Sequence, residues 1–128
     1  MGSEDRSELY SRLKSFRYAF QGLWYVLRSQ HNAWIHALVT VSVLALAWWL
    51  ELPALQWAIL LLTIMVVWMA EFMNTALEAI VDMVKPEEHP LAKIAKDVAA
   101  AAVLVGAAGS VLIGLLVLGP PLWQRLTD

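Results

Sequence analysis

The chain has 128 residues, 60% of them hydrophobic and 16% charged, with a formal net charge of −2 and no cysteine. A charged fraction so far below the ~25% of soluble domains, in a chain too small to bury that much apolar surface, excludes an ordinary soluble fold and requires lipid to cover part of it. The lack of cysteine excludes a disulfide framework or a thiolate metal site. The first segment is polar and has no apolar leader core, and Arg6 stands where a myristoylation signal needs Ser or Thr. Within it, Leu9, Leu13, Phe16, Phe20, Leu23 and Leu27 recur at three- and four-residue spacing. Arg12 and Arg17 lie off that stripe, which predicts an amphipathic helix over about 8–29 lying in the membrane interface.

The first apolar run, residues 33–50, is long enough as a helix (about 27 Å) to cross a hydrocarbon core of about 30 Å. His36 is its only ionisable group. Pro53 breaks the run and suits the first turn of a second helix. Neither Gly nor Pro follows until Pro86, so that helix is expected to run over 54–84, about 46 Å. Residues 85–90 (KPEEHP) form a polar turn, and a third spanning helix is expected over 91–118, ended by Gly119-Pro120-Pro121. Arg6, Arg12, Lys14, Arg17 and Arg28 precede the first span, and Lys85, Lys93 and Lys96 lie between the second and third. By the positive-inside rule the N-terminus and the 85–97 segment are cytoplasmic and the C-terminus is outside. The expected fold is therefore an all-α integral membrane protein, a single membrane domain over 1–128 with three transmembrane helices and an interfacial helix.

The second helix changes character at its end. Glu71, Asn74, Thr75, Glu78 and Asp82 fall at offsets that share one helix face, with apolar residues between them. Placing an acid near a bilayer costs about 2.5–3.5 kcal/mol on the insertion scale, so the stripe needs metal ions, basic side chains or water as partners. Carboxylates two turns apart with an amide between them suit a hard cation such as Mg²⁺, and a free carboxylate can take a proton from a hydroxyl. Lys96 and Asp97 begin the third helix, which a short turn makes antiparallel to the second, and both are expected to face the stripe. Acids that hold metal and a lysine that meets phosphate are the parts of a phosphoryl-transfer site. Neither a P-loop nor a kinase Gly-rich loop is present. His31, His36 and His89 do not have the spacing of a zinc site, and Lys93 is explained by snorkelling. Ala102, Gly106, Ser110 and Gly114 recur every four residues, a small-residue face suited to assembly of a homo-oligomer.

The segments Glu71-x-x-Asn74-Thr75-Ala76-x-Glu78-x-x-x-Asp82 and His89-Pro90-Leu91-Ala92-Lys93-x-Ala95-Lys96-Asp97, with Gly22, Asn32, Ile35 and His36 upstream, resemble the small prokaryotic diacylglycerol kinase and undecaprenol kinase family over about residues 12–118. The resemblance implies a homotrimer in the bacterial cytoplasmic membrane, with active sites shared between subunits, ATP as co-substrate, Mg²⁺ as cofactor, a membrane lipid alcohol as acceptor and no nucleic-acid partner. By position, Glu71 resembles the general base that meets the lipid hydroxyl, and Glu78 the metal-holding carboxylate. Asn74 and Asp82 resemble residues that order the site. Tyr18, Glu87, Glu88, His89, Lys96 and Asp97 look like nucleotide contacts, and Ala100 with the interfacial helix looks like part of the lipid site. One departure is Gln30, where the family has a second metal-holding Glu that also meets the nucleotide. An amide oxygen can ligate Mg²⁺ but carries no charge. A second is Ser11, with Arg12 adjacent, where the family has an Arg. The wording around His89 is more similar to undecaprenol kinases, so undecaprenol is favoured over diacylglycerol. Two alternatives stay open: a catalytically impaired lipid- or nucleotide-binding module of the same fold, because of Gln30, and a small channel lined by the polar face. Nothing in the sequence suggests ion selectivity.

Overall fold

The structure is a computed structural model that describes residues 3–84 and 87–128, with side chains from Arg6 onward. Lys85 and Pro86 of the expected polar turn lie outside the described residues. The described chain is helical nearly throughout: α1 (Ser3–Ser29), α2 (His31–Trp49), α3 (Ala54–Val84) and α4 (Pro90–Thr127). Three of these, α2, α3 and α4, are long and apolar enough to cross a membrane. Antiparallel α3 and α4 form the main helix pair, with α2 and the end of α1 packed more lightly against them.

Gln30 alone separates α1 from α2. Its extended backbone (φ −106°, ψ 117°) breaks the helix, while its N–H still bonds to the Val26 carbonyl (3.0 Å) and its own carbonyl accepts from Ala33 (3.2 Å). The chain thus changes direction at the cost of one helical residue. Most of the expected apolar stripe on α1 is exposed in the single chain, but Val26, which that stripe omitted, is buried. Phe16, Phe20, Leu23 and Val26 face Phe72, Thr75, Ala76 and Ala79 of α3 across an apolar groove of about 650 Å³.

The turn between α2 and α3 is a Schellman motif. The Leu52 N–H bonds to the Ala47 carbonyl (3.3 Å) and the Glu51 N–H to the Trp48 carbonyl (3.1 Å). The motif needs a left-handed residue after the cap, and Glu51 supplies it at φ 54°, the only non-glycine residue with positive φ among the described residues. Ala47 and Leu52 close the turn from within a core cluster with Leu50, Leu60 and Leu118. The Pro53 carbonyl then accepts from Gln56 and Trp57 to start α3.

α4 corrects the expected boundary at Leu118. The helix runs on through Pro120 and Pro121 to Thr127. Proline removes a helical hydrogen bond and normally kinks or stops a helix. Here contacts on both sides hold the axis. Leu118 and Leu122 pack into the cluster at the end of α2, and the Arg125 guanidinium lies 5.2 Å from the centroid of the Trp49 ring. These positions share one face, so one packing surface continues across the prolines. The small-residue face of α4 borders α3, with Ser110 and Gly114 beside Leu60, Thr63, Ile64 and Val67. A Cβ added at Gly106, Gly109 or Gly114 would nevertheless meet nothing within 4 Å, so packing inside the chain does not require glycine there. Leu38, Leu62, Met69, Leu104, Leu112 and Leu116 are among many large apolar side chains left exposed. Lipid or another copy of the chain must cover them.

Candidate functional site

The polar face of α3 descends from sealed to open. Glu71 is 1% exposed, Asn74 and Thr75 are also buried, Glu78 is half-buried and Asp82 is exposed. The helix rise places Glu71 and Asp82 about 16 Å apart along the axis. The Thr75 hydroxyl donates to the Glu71 backbone carbonyl (2.9 Å), and Asn74 Nδ2 donates to Glu78 Oε1 (3.2 Å). The Oε2 atom of Glu71 and the Oδ1 atom of Asn74 are buried without a hydrogen-bond partner. Leaving such atoms unpaired is costly, so the Asn74 oxygen marks a place where a donor or a cation from outside the chain would be stabilised.

Lys96 meets the stripe as expected: its Nζ pairs with Asp82 Oδ1, and Glu78 lies within electrostatic reach of the ammonium. Asp97 does not meet it. Its carboxylate takes Lys93 one turn back (2.5 Å) on an exposed face, because successive helical residues point about 100° apart and cannot both face α3. This ion pair also gives Lys93 a partner that snorkelling alone did not anticipate. Beside the Lys96–Asp82 pair is an open cleft of about 660 Å³ whose lining includes Asp82, Glu87, Glu88, His89, Lys93 and Lys96. His89 is also the N-cap of α4, its Nδ1 accepting from the Leu91 N–H (3.2 Å).

Tyr18 is exposed on α1 and is not among the residues that line this cleft. Gln30 is half-buried at the start of α2, and its side chain makes no capping bond. Ala100 is exposed on α4. Among the described residues, no group of three or more His, Asp and Glu side chains is arranged to hold a metal ion. The donor chemistry still suits Mg²⁺, which is commonly bound through one or two carboxylates plus phosphate oxygens. Glu78 offers a carboxylate, and the sealed Asn74 Oδ1 is a hard oxygen beside it.

One partner of the stripe was not anticipated from the sequence. His36 Nε2 lies 3.6 Å from Glu71 Oε2, and the imidazole meets the Trp68 ring edge-on, with centroids 6.3 Å apart. The usable signal was that His36 is the lone ionisable group of the first span.

A polytopic helical protein with a buried acid at one end of a span, and an acid–lysine cleft beyond it, has the layout of a membrane phosphotransferase. The family pattern described as prokaryotic diacylglycerol kinase matches residues 17–118. The chain is 42% identical over 123 residues to an undecaprenol kinase of Bacillus subtilis, covering 95% of this chain and 100% of that protein. It is 47% identical over 111 residues to a diacylglycerol kinase of Synechocystis, covering 86% of this chain and 63% of that one. Against the diacylglycerol kinase of Escherichia coli K12 it is 31% identical over 100 residues, covering 73% and 76%. The chain belongs to the prokaryotic diacylglycerol kinase family, and it is a bacterial membrane lipid kinase.

Proposed function

We propose that the chain transfers the γ-phosphoryl group of ATP to the hydroxyl of undecaprenol, with Glu71 as general base. The carrying observation is the sealed Glu71 carboxylate, whose Oε2 makes no hydrogen bond, on the same helix face as the Asp82–Lys96 pair. The lipid hydroxyl gives its proton to Glu71 as its oxygen bonds to the γ-phosphorus. The bond from that phosphorus to the bridging oxygen breaks, and ADP leaves with the electron pair. Lys96 offsets charge on the phosphates, and Asp82 holds the lysine in place. Glu87, Glu88 and His89 line the entry for the nucleotide, with Tyr18 and Asp97 as further contacts. Glu78 and Gln30 would hold Mg²⁺, which when bound neutralises phosphate charge, and Asn74 fixes the Glu78 carboxylate. Ala100 and α1 border the lipid site.

Undecaprenol is favoured because the Bacillus subtilis protein named undecaprenol kinase matches along its whole length. The apolar groove between α1 and α3 is also chemically suited to an isoprenoid chain. The cleft faces the cytoplasm, with α1 in the interface and the C-terminus outside. The uncovered apolar faces and the unfilled glycines of α4 favour a homotrimer with sites shared between subunits. The test is incubation of purified protein with Mg²⁺ and labelled ATP, separately with undecaprenol and with diacylglycerol in mixed micelles. Label in undecaprenol is expected; label in diacylglycerol alone would reverse the acceptor assignment. Gln30 favours a second reading, a binding module without turnover. ATP binding with no label in either lipid would select it.

A further inference from the structure

Glu71 is the most deeply buried ionisable side chain of the described residues, and a carboxylate in that position needs a partner. Among those residues His36 is the one basic group within ion-pair range, its Nε2 3.6 Å from Oε2. That is slightly beyond a hydrogen bond, and catalytic contacts in unliganded sites commonly tighten when the substrate enters. The histidine is braced. Trp68 packs edge-on against its ring, the Trp68 indole N–H donates to Thr40 Oγ1 (3.0 Å), and Phe72 packs against Trp68, with centroids 5.8 Å apart. Thr40 lies one turn after His36 on α2, so one α2 face supplies both the imidazole and the acceptor that locks the indole beside it. The side chain of His36 is only 15% exposed, and it borders a crevice of about 70 Å³ with Thr40, Thr63 and Ser110. Apolar residues complete that lining, so the imidazole has few competing partners.

We propose that His36 is a positioning residue for Glu71. Its Nε2–H holds Oε2, which turns Oε1 to the lipid hydroxyl and fixes the buried carboxylate in the orientation that accepts the proton. This rests on the assignment of Glu71 as base. It adds that the base is set from α2, by a residue outside the acidic stripe.

Three variants of the full chain test it, each assayed with Mg-ATP on undecaprenol and on diacylglycerol in mixed micelles. His36→Phe keeps a ring against Trp68 and removes the donor. Hydrogen bonds to charged groups contribute about 1.5–3 kcal/mol, so kcat should fall by about 10- to 150-fold while KM for ATP stays unchanged. His36→Gln, whose amide N–H reaches nearly as far, should recover most of the loss. His36→Asn, with the same chemistry but a shorter reach, should not. The Gln and Asn pair decides the matter even if the Phe variant fails to fold. Equal kcat for Gln and Asn, or loss confined to KM for ATP, would overturn the proposal. In a Glu71→Gln background, His36→Gln and His36→Asn should be indistinguishable. If Glu71→Gln alone retains full turnover, the base assignment fails. If it is inactive while all His36 variants are fully active, only the role of His36 fails.

Discussion

Replacing Glu71 with Gln should separate stability from catalysis at one position. The side chain is 1% exposed, and its Oε2 has no hydrogen-bond partner. Gln has nearly the same shape and leaves the Thr75 bond to the backbone carbonyl of residue 71 intact. It exchanges a buried carboxylate for a neutral amide, which costs less to bury and can still meet His36, whose Nε2 lies 3.6 Å from the present Oε2, so thermal unfolding in detergent should occur at the same temperature or higher. Loss of a general base typically costs about 10²–10⁴ in rate, or about 2.7–5.5 kcal/mol of transition-state stabilisation. ATP affinity should not change, because the Asp82–Lys96 pair lies about 16 Å further along the helix. The assay is phosphoryl transfer at saturating ATP, together with ATP binding and a melting curve on the same preparation. Turnover within threefold of the unmodified chain would refute the role of Glu71. A large drop in melting temperature would refute the claim that its charge opposes folding.

Three other substitutions probe the remainder of the chain. Lys96→Met removes the cation between Asp82 and the cleft and should raise KM for ATP about tenfold, the worth of one charge-assisted hydrogen bond, as read from initial rates at varied ATP. Gln30→Glu adds a carboxylate at the α1–α2 junction and should lower the Mg²⁺ concentration needed for half-maximal rate; an unchanged Mg²⁺ curve would remove Gln30 from the metal site. Glu51→Gly relieves a left-handed residue at φ 54° and should stabilise the chain by about 1 kcal/mol, measured as a higher melting temperature with unchanged activity.

Hydropathy and breakers made most of the fold legible in the sequence. Pro53 and the uninterrupted run to Val84 set the limits of α3, because both signals are local to the chain. The end of α4 was not legible: Pro120 and Pro121 are local stop signals, overridden by contacts of Leu118, Leu122 and Arg125 with the distant end of α2. The same distinction governs the site. Helical spacing puts Glu71, Asn74, Thr75, Glu78 and Asp82 on one face, and the antiparallel turn brings Lys96 to Asp82. Spacing along one helix could not reveal that His36, from another span, would sit beside Glu71. Nor does adjacency in sequence mean a shared direction, and the 100° step from Lys96 to Asp97 carries the second of them away from the stripe.

α3 is one unbroken helix from Ala54 to Val84, and in the proposed reaction it acts as a ruler. The carboxylate that meets the lipid and Asp82, which holds the nucleotide-facing Lys96, are fixed on a single rigid rod, so hinge closure within that helix cannot bring them together. Donor and acceptor must instead cover the interval themselves: the triphosphate extends inward from the cleft, and the lipid hydroxyl rises to the depth of Glu71. A bare alcohol on a long chain can set its depth freely, whereas a large polar headgroup pins its lipid at the surface. The spacing along this helix would thereby favour acceptors without such a headgroup, before any side chain touches the lipid tail.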